Sequence, residues 1–376
     1  MKLTAKVKLL PTADQATGLD ATMRQFNAAC NAISAWVWDT GTFRQFDIHK
    51  GLYYRIRADF GLSAQVVVRA IARVADAYKL DRQVQRTFQP LGAMTYDDRI
   101  LRWHLARDTV SIWTVAGRQS IPFVCGDYHR RLLATRQGES DLVYSDGTFY
   151  LFTTCVVDEP ECQEVHEYLG CDLGIKNILT DSDGAVFAGG QLNGLRHRHR
   201  RLRAKLQAKG TKSAKRLLKH RRRKEQRFAT DTNHTISKHV VKKAQGTERG
   251  LALENLQGIR TRVTVRRRQR ATLHSWSFAQ LRSFVTYKAA LAGVPVVLVD
   301  PRNTSRTCPA CGCIDKANRP SQAVFRCISC GFAGVADIVA AGNIARRAAV
   351  NQPHVGVPVP PVHRTTYKLP ASVGGC

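Results

Sequence analysis

Residues 2–10 alternate, with Leu3, Ala5, Val7 and Leu9 on one side and Lys2, Thr4, Lys6 and Lys8 on the other. A period of two predicts a half-buried strand with a basic outer face. Pro11 ends the run, and Thr12-Ala-Asp-Gln15 has the form of a helix-capping box. The period then lengthens. Leu19, Met23, Phe26, Cys30 and Ile33 recur at steps of three and four, as do Val67, Ile71, Val74 and Tyr78, so residues 12–87 read as a small helical unit. From 88 to 158 the period returns to two, with strands at 109–115, 119–123, 141–145 and 148–157 and an Asp146-Gly147 hairpin turn. A barrel or small sandwich is expected, completed by the isolated first strand, with the helical unit as an insertion.

Beyond 160, strands and helices alternate. Residues 165–173, 175–181 and 185–188 read as a strand meander, and 192–228 as a helical hairpin split at Gly210. Residues 251–256 form a buried strand, 278–292 a helix, 295–300 another strand and 336–347 a last short helix. Strands followed by helices around one mixed sheet suggest an α/β core. The Pro- and Val-rich segment from 351 to 376 has no usable period and reads as a tail. The fold class is therefore multidomain, α+β in the first part and α/β in the second.

Charge changes this picture. The 376 residues carry 58 Lys and Arg against 29 Asp and Glu, a net charge of +29. Residues 196–227 hold 16 of the basic residues and one acid, Glu225; residues 260–270 hold six and no acid. These two blocks carry +21 of the +29, so the basicity is a local device and a polyanion is its natural partner. A helix with Arg or Lys on most faces repels itself and folds best against phosphates. No apolar run approaches the roughly 18 residues of a membrane span, and residues 1–10 interleave charges where a signal peptide would be apolar. A soluble cytoplasmic protein without a membrane partner is expected.

Two sets of residues carry chemistry. Cys308-Pro-Ala-Cys311, fifteen residues and Cys327-Ile-Ser-Cys330 have zinc-ribbon spacing. Gly312 and Gly331 follow each pair, where a knuckle needs positive φ. Four thiolates close the shell and leave no water position, so one structural Zn²⁺ is expected at Cys308, Cys311, Cys327 and Cys330. Cys313 breaks the paired pattern. The second set is Asp172 at a strand end, Glu254 inside an otherwise apolar strand and Asp337 at the start of the last helix. Burying a lone carboxylate is costly unless it is paired or binds a cation, and three converging acids suit Mg²⁺. Singly, each has a structural reading: a turn residue, an edge-strand side chain facing water, a helix N-cap.

In order, the Asp of GCDLGIKN, the Glu of LALENL, the ribbon NTSRTCPACG…SQAVFRCISCG and the Asp of ADIVAAGNIA resemble the TnpB family. These are transposon-encoded RNA-guided nucleases, relatives of the type V CRISPR effectors. DTNHTISKHVVKKA at 231–244, SWSFAQLRSFVTYKA at 275–289 and LLPTADQ…FNAACN near the start extend the likeness over 1–348, strongly from 165 onward.

The resemblance implies an RNase H-like RuvC nuclease (165–302 and 332–350) interrupted by the ribbon (303–331). A wedge-like β-barrel (1–11 and 88–164) with an inserted helical recognition unit (12–87) would precede it. It implies two catalytic Mg²⁺ held by Asp172, Glu254 and Asp337, a guide RNA, a double-stranded DNA target, and a prokaryotic, nucleoid-associated protein, most simply a monomer. Gln65 falls where relatives contact the motif flanking the target. Arg221, Arg222, Arg223, Arg266, Arg267, Arg268 and Arg306 are the expected phosphate contacts. Two departures stand out: Val339 replaces a common Asn two residues after the last acid, and Arg306 a frequent Gln before the ribbon. A compact type V CRISPR effector and a non-cleaving guided repressor are the alternatives; three intact acids speak against the repressor.

Overall fold

The computed structural model describes residues 1–221, 223–259 and 276–350. The expected tail at 351–376 lies outside the described residues. The described residues divide into two compact units, the first ending at Asp158 and the second beginning at Glu159.

In the first unit, β1 (Lys2–Leu9) leads into α1 (Ala13–Thr40), α2 (Gln45–Phe60) and α3 (Ala64–Leu80). There follow β2 (Met94–Tyr96), β3 (Leu101–His104), β4 (Thr109–Thr114), β5 (Gly117–Val124), α4 (Asp127–Leu133), β6 (Arg136–Ser145) and β7 (Thr148–Val156). The capping box forms as read: the Gln15 N–H donates to the Thr12 hydroxyl and the Thr12 N–H to the Gln15 side chain. The strands make one antiparallel sheet in the order β2-β6-β7-β1-β5-β4-β3. β1 thus pairs with strands more than a hundred residues away, Val7 opposite Leu151 and Leu9 opposite Phe123. Side-chain bonds link opposite ends of that order, Tyr96 to the Trp113 carbonyl and Trp103 to Ser140, so the sheet curls on itself. Among the described residues no β2–β3 ladder closes it into a barrel.

The second unit begins with β8 (Tyr168–Asp172), β9 (Asn177–Asp181) and β10 (Val186–Ala188). Then come α5 (Gly190–Lys209), α6 (Lys212–Arg221), α7 (Lys224–Gly246), β11 (Gly250–Glu254), α8 (Phe278–Leu291) and β12 (Val296–Val299). The hairpin β13 (Val324–Arg326) and β14 (Ala333–Val335) precedes α9 (Ala336–Val350). The sheet order is β10-β9-β8-β11-β12, with β8, β11 and β12 parallel and β8-β9-β10 an antiparallel meander.

The period of two decides what faces what. Leu169, Cys171, Leu251 and Leu253 point into a core with Ile236 and Val240 of α7 and Leu281 and Val285 of α8. Ala252 points the other way, against Ile344 and Ala348 of α9. Gly170 lets α9 lie flat on β8: a Cβ there would come 1.9 Å from the Ala341 carbonyl oxygen. By the same alternation Asp172 and Glu254 fall on the α9 side of the sheet. At the far end of β9, buried Asp181 accepts from Lys243 of α7, tying that helix to the sheet.

Candidate metal centres

Asp172 and Glu254 are the last residues of neighbouring parallel strands, with Cys171 opposite Leu253 in register. In open α/β sheets, ligands gather at the carboxyl ends of the parallel strands. Asp337 sits in the first turn of α9, one helical turn before the Ala341 that rests on Gly170. The sheet and the helix across it therefore bring together three carboxylates that are far apart in sequence. Their proximity shows in the electrostatics. Burial, together with the negative charges of Glu254 and Asp337, pushes the Asp172 carboxyl up to about 7. Burial also pushes Glu254 upward, opposed by the Thr304 hydroxyl and by Arg347 and Arg319. Buried like charges held this way favour a bound cation. The donor set is all oxygen, which suits a hard divalent ion.

Other groups fix the acids in place. Asn177 of β9 donates to one oxygen of Asp337 and Arg319 to the other, each at 2.9 Å. Arg319 lies between the two cysteine pairs, so the loop joining them sets a positive charge beside the acids. Thr304, 2% exposed, donates its hydroxyl to Glu254. Val339 packs with Cys308, Phe325, Cys327 and Ala336, so the position expected to carry Asn is an apolar contact with the ribbon. Sequence reading missed Asn177, Thr304 and Arg319. Their partners lie 160, 50 and 18 residues away, and no local pattern marks such pairs.

The four cysteines converge as their spacing predicts. Their sulfurs all lie within 4.8 Å of one another, with Cys308–Cys330 at 3.6 Å and Cys311–Cys327 at 3.5 Å. A tetrahedron with metal–sulfur bonds of about 2.3 Å has edges of about 3.8 Å, so the cluster fits a structural zinc. Gly312 (φ 73°) and Gly331 (φ 76°) close the two knuckles by donating to the carbonyls of Cys308 and Cys327. The Cys330 N–H facing the Cys327 sulfur helps push that thiol down to about 6. Cys313 stays outside the cluster. Buried Asn318 ties the loop, donating to the Arg306 and Cys313 carbonyls and accepting from the Ile328 N–H.

The remaining expected contacts are dispersed. Gln65, in the first turn of α3, donates to Asp97 and accepts from Arg99, beside an Arg69–Asp97 ion pair. Arg221 ends α6, and Arg223 stands just before α7 with φ 66°. Glu225, the only acid of the long basic block, pairs with Arg196 at 3.5 Å and so links α7 to α5. Arg306 is exposed between Glu254's partner Thr304 and the first zinc-site cysteine. Arg222, Arg266, Arg267 and Arg268 lie outside the described residues. Among those described, no helix is long and apolar enough to cross a membrane.

Comparison with known proteins adds two family matches, a probable transposase over residues 152–257 and a Cas12f1-like TNB domain over 278–344. The chain is 38% identical over 122 residues to the CRISPR-associated endodeoxyribonuclease Cas12f1 of Sulfoacidibacillus thermotolerans, across 31% of this chain and 27% of that protein. It is 30% identical over 190 residues to the TnpB-like protein MJ0751 of Methanocaldococcus jannaschii, across 47% of this chain and 67% of the archaeal protein. The fold resembles that of the Cas12f1–sgRNA–target DNA complex, with a TM-score of 0.57 over 87% of this chain and 82% of that one, at 14% identity.

Proposed function

The chain belongs to the TnpB family, and on that premise we propose that it is an RNA-guided DNA endonuclease of transposon origin. It cleaves double-stranded target DNA next to a short flanking motif, and the second unit contains a RuvC-type nuclease site interrupted by the zinc ribbon. The reading rests chiefly on one arrangement: Asp172 and Glu254 at the ends of adjacent parallel strands, with Asp337 in the helix laid across them, each raising the need for positive charge.

The residues fit Mg²⁺ as the ion these acids hold. Two such ions would activate a water and stabilise the leaving oxygen of the scissile phosphodiester. The chain's own part is positional. Thr304 fixes Glu254, Asn177 and Arg319 fix Asp337, and the packing of Gly170 on α9 sets the spacing between strand and helix acids. Arg319 also presents a guanidinium, whose planar fork matches phosphate oxygens. The basic helices α5 to α7 hold guide and heteroduplex phosphates, with base pairing supplying sequence choice. In the first unit, the curled sheet serves as the wedge, α1 to α3 as the recognition unit, and Gln65 as a reader of the flanking motif.

Sequencing the RNA that copurifies with the full chain, then challenging the complex with a library of randomised flanks, tests the reading. Cleavage beside one short motif, present with Mg²⁺ and lost in EDTA, is the expected result. Guided binding without cleavage at any flank would instead support the repressor alternative.

A further inference from the structure

Glu254 has one side-chain hydrogen-bond partner among the described residues, the hydroxyl of Thr304. Thr304 is itself held. Asn343 of α9, 5% exposed, donates at 2.8 Å to the carbonyls of both Thr304 and Thr307. Its own carbonyl oxygen accepts from Arg346, also at 2.8 Å. Thr307 precedes Cys308, the first cysteine of the zinc site. One buried amide on α9 thus pins the strap that runs from the acid's partner to the first zinc ligand.

We propose that Thr304 is the positioning residue for Glu254, itself held by the Asn343 clamp on the Thr304–Thr307 strap. The proposal rests on the reading of Glu254 as a metal ligand. A hydroxyl donating to one carboxylate oxygen leaves the other oriented for a cation, and partners of this kind set metal affinity by about 10- to 100-fold. A purely local role is the competing explanation, since the same hydroxyl also lies 3.0 Å from the Pro301 carbonyl. In that case Thr304 would close its own turn, and metal binding would be indifferent to it.

Direct binding of Mn²⁺, followed by the electron paramagnetic resonance of the free ion, separates the two on the zinc-loaded full chain. Thr304→Val and the smaller Thr304→Ala are expected to weaken Mn²⁺ binding about tenfold with zinc content unchanged. Thr304→Ser, which keeps the hydroxyl, is expected to bind like the parent protein. Unchanged affinity in Val and Ala, or equal loss in Ser, overturns the assignment. Glu254→Gln is the reference. If it binds Mn²⁺ as the parent does, the metal-site reading itself falls; if only the Thr304 variants are silent, that reading stands and Thr304 has no part in it.

Discussion

The two candidate metal centres of the second unit are built in opposite ways. The four sulfurs of the ribbon sit 3.5–3.6 Å apart in their close pairs and within 4.8 Å overall. They come from two short knuckles, each shaped locally by a Cys-x-x-Cys turn and a glycine of positive φ. The carboxylates come from two strand ends and a helix start, and no carboxylate trio among the described residues closes to that distance. Soft ligands at full coordination make a closed site that stabilises a fold. Carboxylates held farther apart, with their charge partly offset by Arg347 and Arg319, would on the proposed reading leave room for hard ions, water and a phosphate. A cluster that fits a structural zinc is thus assembled from local sequence, whereas the acids proposed as catalytic are brought near one another by the fold.

Substitutions can break that contrast from either side. The largest effect is expected at the ribbon, because structural zinc contributes on the order of 10 kcal/mol to small zinc domains. Cys308→Ser should release the metal, unfold the ribbon and remove Arg319 from the acids, so zinc content, thermal unfolding and cleavage fall together. A stable zinc-free variant would show that no structural zinc holds these cysteines. Next is Gly170→Ala, whose Cβ would collide with backbone atoms of α9. A cost near 3 kcal/mol is expected, with lost cleavage as Asp337 is displaced, while zinc content stays at one per chain. Smallest is Arg319→Ala, which removes one of the two side-chain donors to Asp337 among the described residues. Cleavage should drop about 10- to 100-fold with zinc content and thermal stability near those of the parent. Unaltered cleavage would make Arg319 a surface cation.

What could be read in advance follows the same division. The Thr12 cap, the Asp146-Gly147 hairpin, the strand ending at Asp172 and the cysteine knuckles all rest on neighbours in sequence, and all four are found. α2 shows no clean period in the sequence, although Ile48, Leu52 and Ile56 form its buried stripe, because exposed Phe46 and Tyr54 blur it. β2 and β3, at three and four residues, are too short to show a period at all. α7 runs to Gly246, past the expected end near 228. Polar Asn233 and Ser237 interrupt its stripe, yet both are buried and hydrogen-bonded. The acids themselves were legible as odd residues in apolar strands. Their supports were not, since Asn177, Thr304 and Arg319 acquire their roles only once β8, β11 and α9 have packed.

Guided cleavage by Asp172→Ala across a Mg²⁺ titration, beside a measurement of guided target binding, tests the three-acid site most directly. Binding is expected to persist, zinc to stay in place and cleavage to be absent at every Mg²⁺ concentration, because Asp172 is buried and feels the negative charge of both other acids. Cleavage by this variant at the parent rate would contradict it, and would move the chemistry away from the three carboxylates.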